Sequence, residues 1–160
     1  AADSVLIPSA GLLVTGIVLL VIDLARTGGT KAAKDANLSD AMWIGLCQGI
    51  SVFPGLSRSG LTISAGLMSG FSRTFAVKYS YILSIPAIIG SLIMELGQFG
   101  SPAMTVGLGF AYVLGMIVSG VTAFFVIRYC LKLVHKGRFR VFAIYCFVIG
   151  LVTLIINHML

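Results

Sequence analysis

Four runs of this sequence are long and apolar enough to cross a hydrocarbon layer, and one stretch set among them is not. The long runs lie at about 4–24, 75–96, 103–127 and 141–156, against the roughly 20 apolar residues that a membrane-spanning helix needs. Residues 41–71 break instead into two short apolar arms, 41–53 and 61–71, around the polar knot Pro54-Gly55-Leu56-Ser57-Arg58-Ser59-Gly60. Neither arm can span alone. Non-helical backbone at membrane depth survives only where it packs against protein or lines a wet cavity. An ionisable residue at that depth marks a functional site.

Composition agrees that lipid is the solvent. Of 160 residues, 58% are hydrophobic and 10% charged, where a soluble domain carries about 25% charged residues. This is an integral membrane protein. The net charge of +6 does not point to nucleic acid, because the basic residues sit in short connections between apolar runs, as in cytoplasmic membrane loops. Cys47, Cys130 and Cys146 are odd in number and lie in or beside apolar segments. They offer neither metal-ligand spacing nor a disulfide framework, and read as membrane-buried thiols. The chain opens Ala1-Ala2-Asp3, with no methionine and no signal-peptide n-region, the pattern of a processed chain or a fragment.

The basic residues also decide how 41–71 is threaded. Arg26, Lys31 and Lys34 precede it, Arg73 and Lys78 follow it, and Arg128, Lys132, Lys136, Arg138 and Arg140 separate the last two runs. The turn at 97–102 carries none. If 41–71 enters and leaves on one side, every basic segment faces the cytoplasm; a single crossing would spoil that bias. The expected fold is therefore all-α and membrane-integral, one polytopic domain over 1–160. It has four transmembrane helices, a re-entrant helical hairpin at about 41–71 and both termini outside. Asn37-Leu38-Ser39-Asp40 supplies N-cap residues for the first arm. Gly45/Gly49 and Gly66/Gly70 form small-xxx-small pairs suited to close helix approach, although glycine is common in membrane helices in any case.

The knot has the makings of an anion site. Ser57, Ser59 and Thr62 are hydroxyls, and Gly55 and Gly60 free the backbone to turn its N–H groups inward. A helix from Leu61 onward would present its N-terminus, with a partial positive charge, to the tip. Arg58 adds a planar fork that matches phosphate oxygens. Gln48, on the incoming arm, can orient a water or a hydroxyl, or can be a satisfied buried amide. The competing reading of Arg58 is structural, as a cap for helix ends or a contact between repeats. His135 and His158 are expected far from the tip, so Ser57 lacks the base that a serine nucleophile needs.

The run Gly45-Leu46-Cys47-Gln48-Gly49-Ile50-Ser51-Val52-Phe53-Pro54-Gly55-Leu56-Ser57-Arg58-Ser59-Gly60-Leu61-Thr62-Ile63 resembles the second signature of the undecaprenyl-diphosphate phosphatases (the BacA/UppP family), GxxQxxxxxPGxSRSGxTI. Phe71-Ser72-Arg73, Tyr79-Ser80-Tyr81-Ile82-Leu83-Ser84-Ile85-Pro86 and Phe142-Ala143-Ile144-Tyr145 are similar to later stretches of that family. The resemblance implies two inverted-topology halves, each with a re-entrant hairpin, and a site between their tips. It implies hydrolysis of undecaprenyl diphosphate to undecaprenyl phosphate and phosphate, which recycles the lipid carrier for cell-wall synthesis and gives bacitracin resistance. Arg58 would clamp the diphosphate, Ser57 and Ser59 would hold its oxygens, and Gln48, Gly55, Gly60 and Thr62 would line the substrate pocket. The implied partners are a polyprenyl diphosphate lipid, the membrane, and a missing N-terminal half or a second copy, in a bacterial cytoplasmic (inner) membrane. No cofactor is identifiable in the chain; a divalent cation such as Mg or Ca is compatible with a diphosphate substrate.

One departure matters. The family's first signature, a Glu-containing segment ending in Pro-x-Ser-Ser-Thr-Gly-His, is absent, and with it the carboxylate, serine nucleophile and histidine. The chain thus resembles the C-terminal portion of such an enzyme, half of an inverted-repeat architecture, inactive in isolation. Leu56, Leu61 and the Tyr79/Tyr81 pair are lesser departures. Two rivals remain to be weighed. The type-2 phosphatidic acid phosphatases also use Ser-Arg but need a histidine and an aspartate soon after, and 59–95 contain neither, which excludes them. A polyprenyl-phosphate flippase, built from inverted repeats with broken helices, could bind the same headgroup without hydrolysis.

Overall fold

The computed structural model describes residues 2–26, 28–96, 106–136 and 138–159, and there the protein is helical. Helices α1 (Ala2–Leu24), α4 (Arg73–Leu96), α5 (Val106–His135) and α6 (Phe139–Met159) are long. Each holds a segment able to cross a membrane: Val5–Leu24, Arg73–Glu95, Leu108–Val134 and Phe139–Asn157. Between α1 and α4 stand two short helices, α2 (Leu38–Ile50) and α3 (Arg58–Met68), preceded by a single 3-10 turn at Ala33–Asp35. The chain divides into two compact units, 1–81 with 133–160, and 82–132. The expected turn at 97–102 lies outside the described residues, as do the side chains of His135 and His158.

In the first unit α1 packs along α6. Glycine lets them approach: a Cβ on Gly16 would stand 3.2 Å from the Phe147 ring, and one on Gly150 would stand 3.0 Å from Leu13. The pair is closed at one end by Asp23, which accepts from Arg140 Nε at 2.5 Å and from the Phe139 N–H at 3.2 Å. An acid that takes an orphan N–H at a helix start while facing a cation satisfies both groups at once. In the second unit, the described residues 108–129 of α5 are almost all exposed.

The two short helices pack on each other, and their limits follow from local chemistry. Asn37 caps α2 in a reciprocal capping box: the Asp40 N–H donates to Asn37 Oδ1 at 2.9 Å and the Asn37 N–H to Asp40 Oδ2 at 3.0 Å, as the 37–40 sequence suggests. α2 ends before a turn whose Leu56 N–H donates to the Phe53 carbonyl at 3.2 Å. Pro54 and Gly55 occupy its centre, Gly55 with φ +87°; proline then a positive-φ glycine is the type II pattern. α3 closes in a Schellman motif. The Phe71 N–H reaches the Gly66 carbonyl, the Gly70 N–H reaches Leu67, both at 3.1 Å, and Gly70 has φ +84°.

The glycine pairs divide. Gly66 meets Ala76 of α4, whose Cβ would be 3.2 Å from a Cβ there. Gly70 serves the Schellman turn instead, and Gly45 and Gly49 face open space. A second difference from the sequence reading concerns 128–135, expected as part of a basic loop but helical within α5. Arg and Lys are good helix formers, and cations suit a helix C-terminus.

The far ends of α2 and α3 meet. The Lys31 N–H donates to the Gly70 carbonyl at 3.2 Å and the Ser72 N–H to the Lys31 carbonyl at 3.0 Å, an isolated parallel bridge between Lys31 and Phe71. Lys31 Nζ lies 2.6 Å from Asp40 Oδ2 and 5.4 Å from the Phe71 ring centroid. The chain therefore leaves α3 beside the place where it approached α2.

Candidate functional site

The knot at 54–60 becomes the start of α3 and the turn before it. Ser57 is the N-cap, in extended backbone, and its Oγ accepts from the Gly60 N–H at 3.1 Å. A Ser57 hydroxyl so used still has its proton to donate. The Leu61 N–H closes the first intrahelical bond onto the Ser57 carbonyl at 2.9 Å. The N–H groups of Arg58 and Ser59 meet no acceptor among the described residues. They are first-turn donors, on which the helix concentrates positive potential.

Arg58 and Ser59 are exposed, and Ser57, Gly60 and Gln48 are half-buried. Among the described residues no carboxylate pairs with Arg58. The acids that could neutralise it are committed elsewhere: Asp23 to Arg140, Asp40 to Lys31, and Asp35 to the Ala32 N–H at 3.0 Å. Glu95 is exposed in α4.

The structure thus brings Ser57, Arg58, Ser59 and Gly60 together in one helical turn. Gln48 sits near the end of α2. Gly55 is needed for its backbone: besides its positive φ, a Cβ there would overlap the Pro8 carbonyl oxygen of α1. Thr62 faces inward. It is 2% exposed, and its Oγ1 reaches the Arg58 carbonyl at 2.9 Å, the Ser59 carbonyl at 3.3 Å and Ser80 Oγ of α4 at 2.6 Å. Thr62 braces the first turn from behind.

Sequence reasoning missed the α1 side of this arrangement. Thr15 Oγ1 accepts from the Ser57 N–H at 3.0 Å, and a Cβ on Gly11 would stand 2.5 Å from the Pro54 carbonyl oxygen. The only signal was a glycine and a threonine four apart inside an apolar run. Such a pair is unremarkable until the segment that docks on it is known.

Fold and tip together define a multi-pass membrane protein with an arginine that has no ion pair among the described residues, at an open helix N-terminus. The chain belongs to the family described as Bacitracin resistance protein BacA, whose model matches residues 1–152. It is 42% identical over 157 residues to an undecaprenyl-diphosphatase of Desulforapulum autotrophicum, covering 96% of this chain and 54% of that one. Similar matches are the undecaprenyl-diphosphatases of Desulfosudis oleivorans (41% identical, 91% of this chain, 52% of the relative) and Halothermothrix orenii (36%, 91% and 56%). The chain spans about half the length of the curated relatives it matches.

Proposed function

We propose that this chain supplies the phosphate-clamp half of an undecaprenyl-diphosphate phosphatase of a bacterial cytoplasmic membrane, its C-terminal portion. The relatives at 32–42% identity, all named undecaprenyl-diphosphatase, support that activity; none is named a carrier. The observation that carries the reading is Arg58, exposed and without an ion pair among the described residues, at the first turn of α3 beside two serines. Burying such a guanidinium in a membrane without a counter-ion costs about 2.5–3.5 kcal/mol even on the lenient scale. The substrate's diphosphate is the natural partner.

In the net reaction water is consumed, the P–O–P bond breaks, and undecaprenyl phosphate and phosphate are released. The Arg58 fork holds non-bridging oxygens in two-point contact. The Ser57 and Ser59 hydroxyls and the open N–H groups of α3 share the charge that develops on the phosphoryl oxygens. Gln48, Gly55, Gly60 and Thr62 shape or brace this pocket. The general base, the nucleophile and the histidine belong to another half or a second copy, so the 160-residue chain alone hydrolyses little or nothing. Among the described residues no group of three His, Cys, Asp or Glu comes together.

The re-entrant hairpin belongs to this proposal. Two observations support it: Lys31, ahead of α2, is tied both to Asp40 of α2 and to the backbone of Gly70 and Ser72 just past α3, and Ser57 bonds to Thr15, which lies near the middle of the Val5–Leu24 span. A tip at that depth with both roots on one side is a hairpin that dips in and returns. Its inverted twin in the other half would complete the site.

The test is phosphate release from a polyprenyl diphosphate by the complete product of the gene. Arg58→Ala and Arg58→Lys should each lower kcat/KM by about a hundredfold or more, since a charge without the fork misplaces the phosphate. Ser59→Ala, losing one neutral hydrogen bond worth about 0.5–1.5 kcal/mol, should cost less than about tenfold. Near-normal kcat/KM in Arg58→Ala would return Arg58 to a structural role.

A further inference from the structure

The tip of α3 is not held by its own helix alone. α1 presents Gly11 and Thr15, one helical turn apart, to the loop. Because Gly11 lacks a Cβ, the Pro54 carbonyl can lie directly against the helix backbone. Thr15 is 1% exposed, and its hydroxyl accepts the Ser57 N–H at 3.0 Å across 42 residues of sequence. Its single proton can go to the Gly11 carbonyl at 3.0 Å, with the Gly55 carbonyl at 3.5 Å. The Thr15 methyl would lie 3.6 Å from a Cβ on Gly60, under the first turn of α3.

A threonine inside a membrane helix needs no partner beyond its own helix, because its proton can return to the carbonyl four residues back. This one has an acceptor to spare and spends it on the N-cap residue of α3. As the N-cap residue, Ser57 has no intrahelical acceptor for its own N–H, and Thr15 supplies the acceptor. We infer that Thr15 is a positioning residue for the phosphate site. Its hydroxyl sets the height and tilt of the first turn of α3, and so the aim of Ser57, Arg58, Ser59 and the open N–H groups. This inference rests on the phosphate-clamp reading of that turn.

The experiment uses the complete gene product, with polyprenyl diphosphate hydrolysis and thermal unfolding in detergent followed side by side. Thr15→Ser keeps the acceptor, Thr15→Val keeps the shape and loses it. Ser9→Ala is the control, a buried hydroxyl of the same helix that donates back to the Val5 carbonyl at 2.8 Å and has no other partner among the described residues. Thr15→Ser should stay within about threefold of the parent in kcat/KM, and Thr15→Val should fall by about tenfold or more. Ser9→Ala should leave kcat/KM unchanged. In a Ser59→Ala background the Thr15→Val loss should shrink to about threefold, because a misaimed turn has already forfeited part of what Ser59 contributes. Equal kcat/KM for the serine and valine variants would overturn the inference. So would a valine loss of unchanged size in the Ser59→Ala background, or a comparable loss in Ser9→Ala. If Arg58→Ala keeps full kcat/KM, the clamp reading itself fails, and that outcome is read independently of any Thr15 variant.

Discussion

The two ends of the α2–α3 pair are built on opposite plans. At the root, polar groups are paired: Lys31 with Asp40, Asp40 with the Asn37 N–H, and the Lys31 backbone with Gly70 and Ser72. At the tip, the backbone is pinned by glycines and by Thr15, yet the Arg58 guanidinium and the Arg58 and Ser59 N–H groups meet no acceptor among the described residues. Pairing at the root stabilises the fold and leaves nothing to offer a ligand. Donors held rigidly but left open at the tip are what an anion needs, since they cost no rearrangement when it arrives. One end is closed by its own pairs, and the other keeps its donors open.

The strongest way to break this comparison is at the pin. Gly55→Ala would force a Cβ into the Pro8 carbonyl and a non-glycine residue into φ +87°. Left-handed strain of about 1–2 kcal/mol and overpacking of about 1–3 kcal/mol should appear as a large loss of thermal stability in detergent. Gly49→Ala, which faces open space, should be neutral or slightly stabilising. Equal effects at the two glycines would mean that the tip does not dock on α1.

The position of the root is tested by labelling. In a cysteine-free background, Thr30→Cys and Thr74→Cys, both exposed, should react with an impermeant maleimide from the same face of intact membrane vesicles. Labelling from opposite faces would replace the hairpin by a single crossing.

The smallest expected effect is a pH dependence at the root. The hydrogen bond from Lys31, then that from the Asn37 N–H, holds the Asp40 carboxyl below its ordinary value. A carboxyl depressed in the folded state adds stability that is present above its unfolded pKa of about 3.9 and is lost as pH falls through the folded one. Asp40→Asn should therefore melt lower at neutral pH and lose less than the parent on acidification below about pH 4. Parallel melting curves against pH would show that Asp40 contributes nothing through its charge. Tip function should not follow this titration, since no described carboxylate pairs with Arg58.

Much of the molecule was legible in order along the chain. Lipid as solvent demands long apolar runs and satisfied backbone, so the spans, the short arms and the break at Pro54-Gly55 could be read directly. Capping is equally local, and Asn37 and Asp40 announced the start of α2. A helix start just after Pro54-Gly55 was legible too, because a proline–glycine break followed by a serine cap is a local signal. What only the tertiary structure decided was the use of groups that look alike in sequence. Gly66 packs on Ala76, Gly70 turns the chain and Gly45 meets nothing, although all three occupy small-xxx-small positions. Thr62 turns inward to Ser80 while Ser59, three residues before it, stays exposed. Thr15, silent in the sequence, bonds to the Ser57 N–H. Sequence periodicity assigns a residue to a helix; which neighbour that helix meets at that height depends on segments tens of residues away, and only their packing settles it.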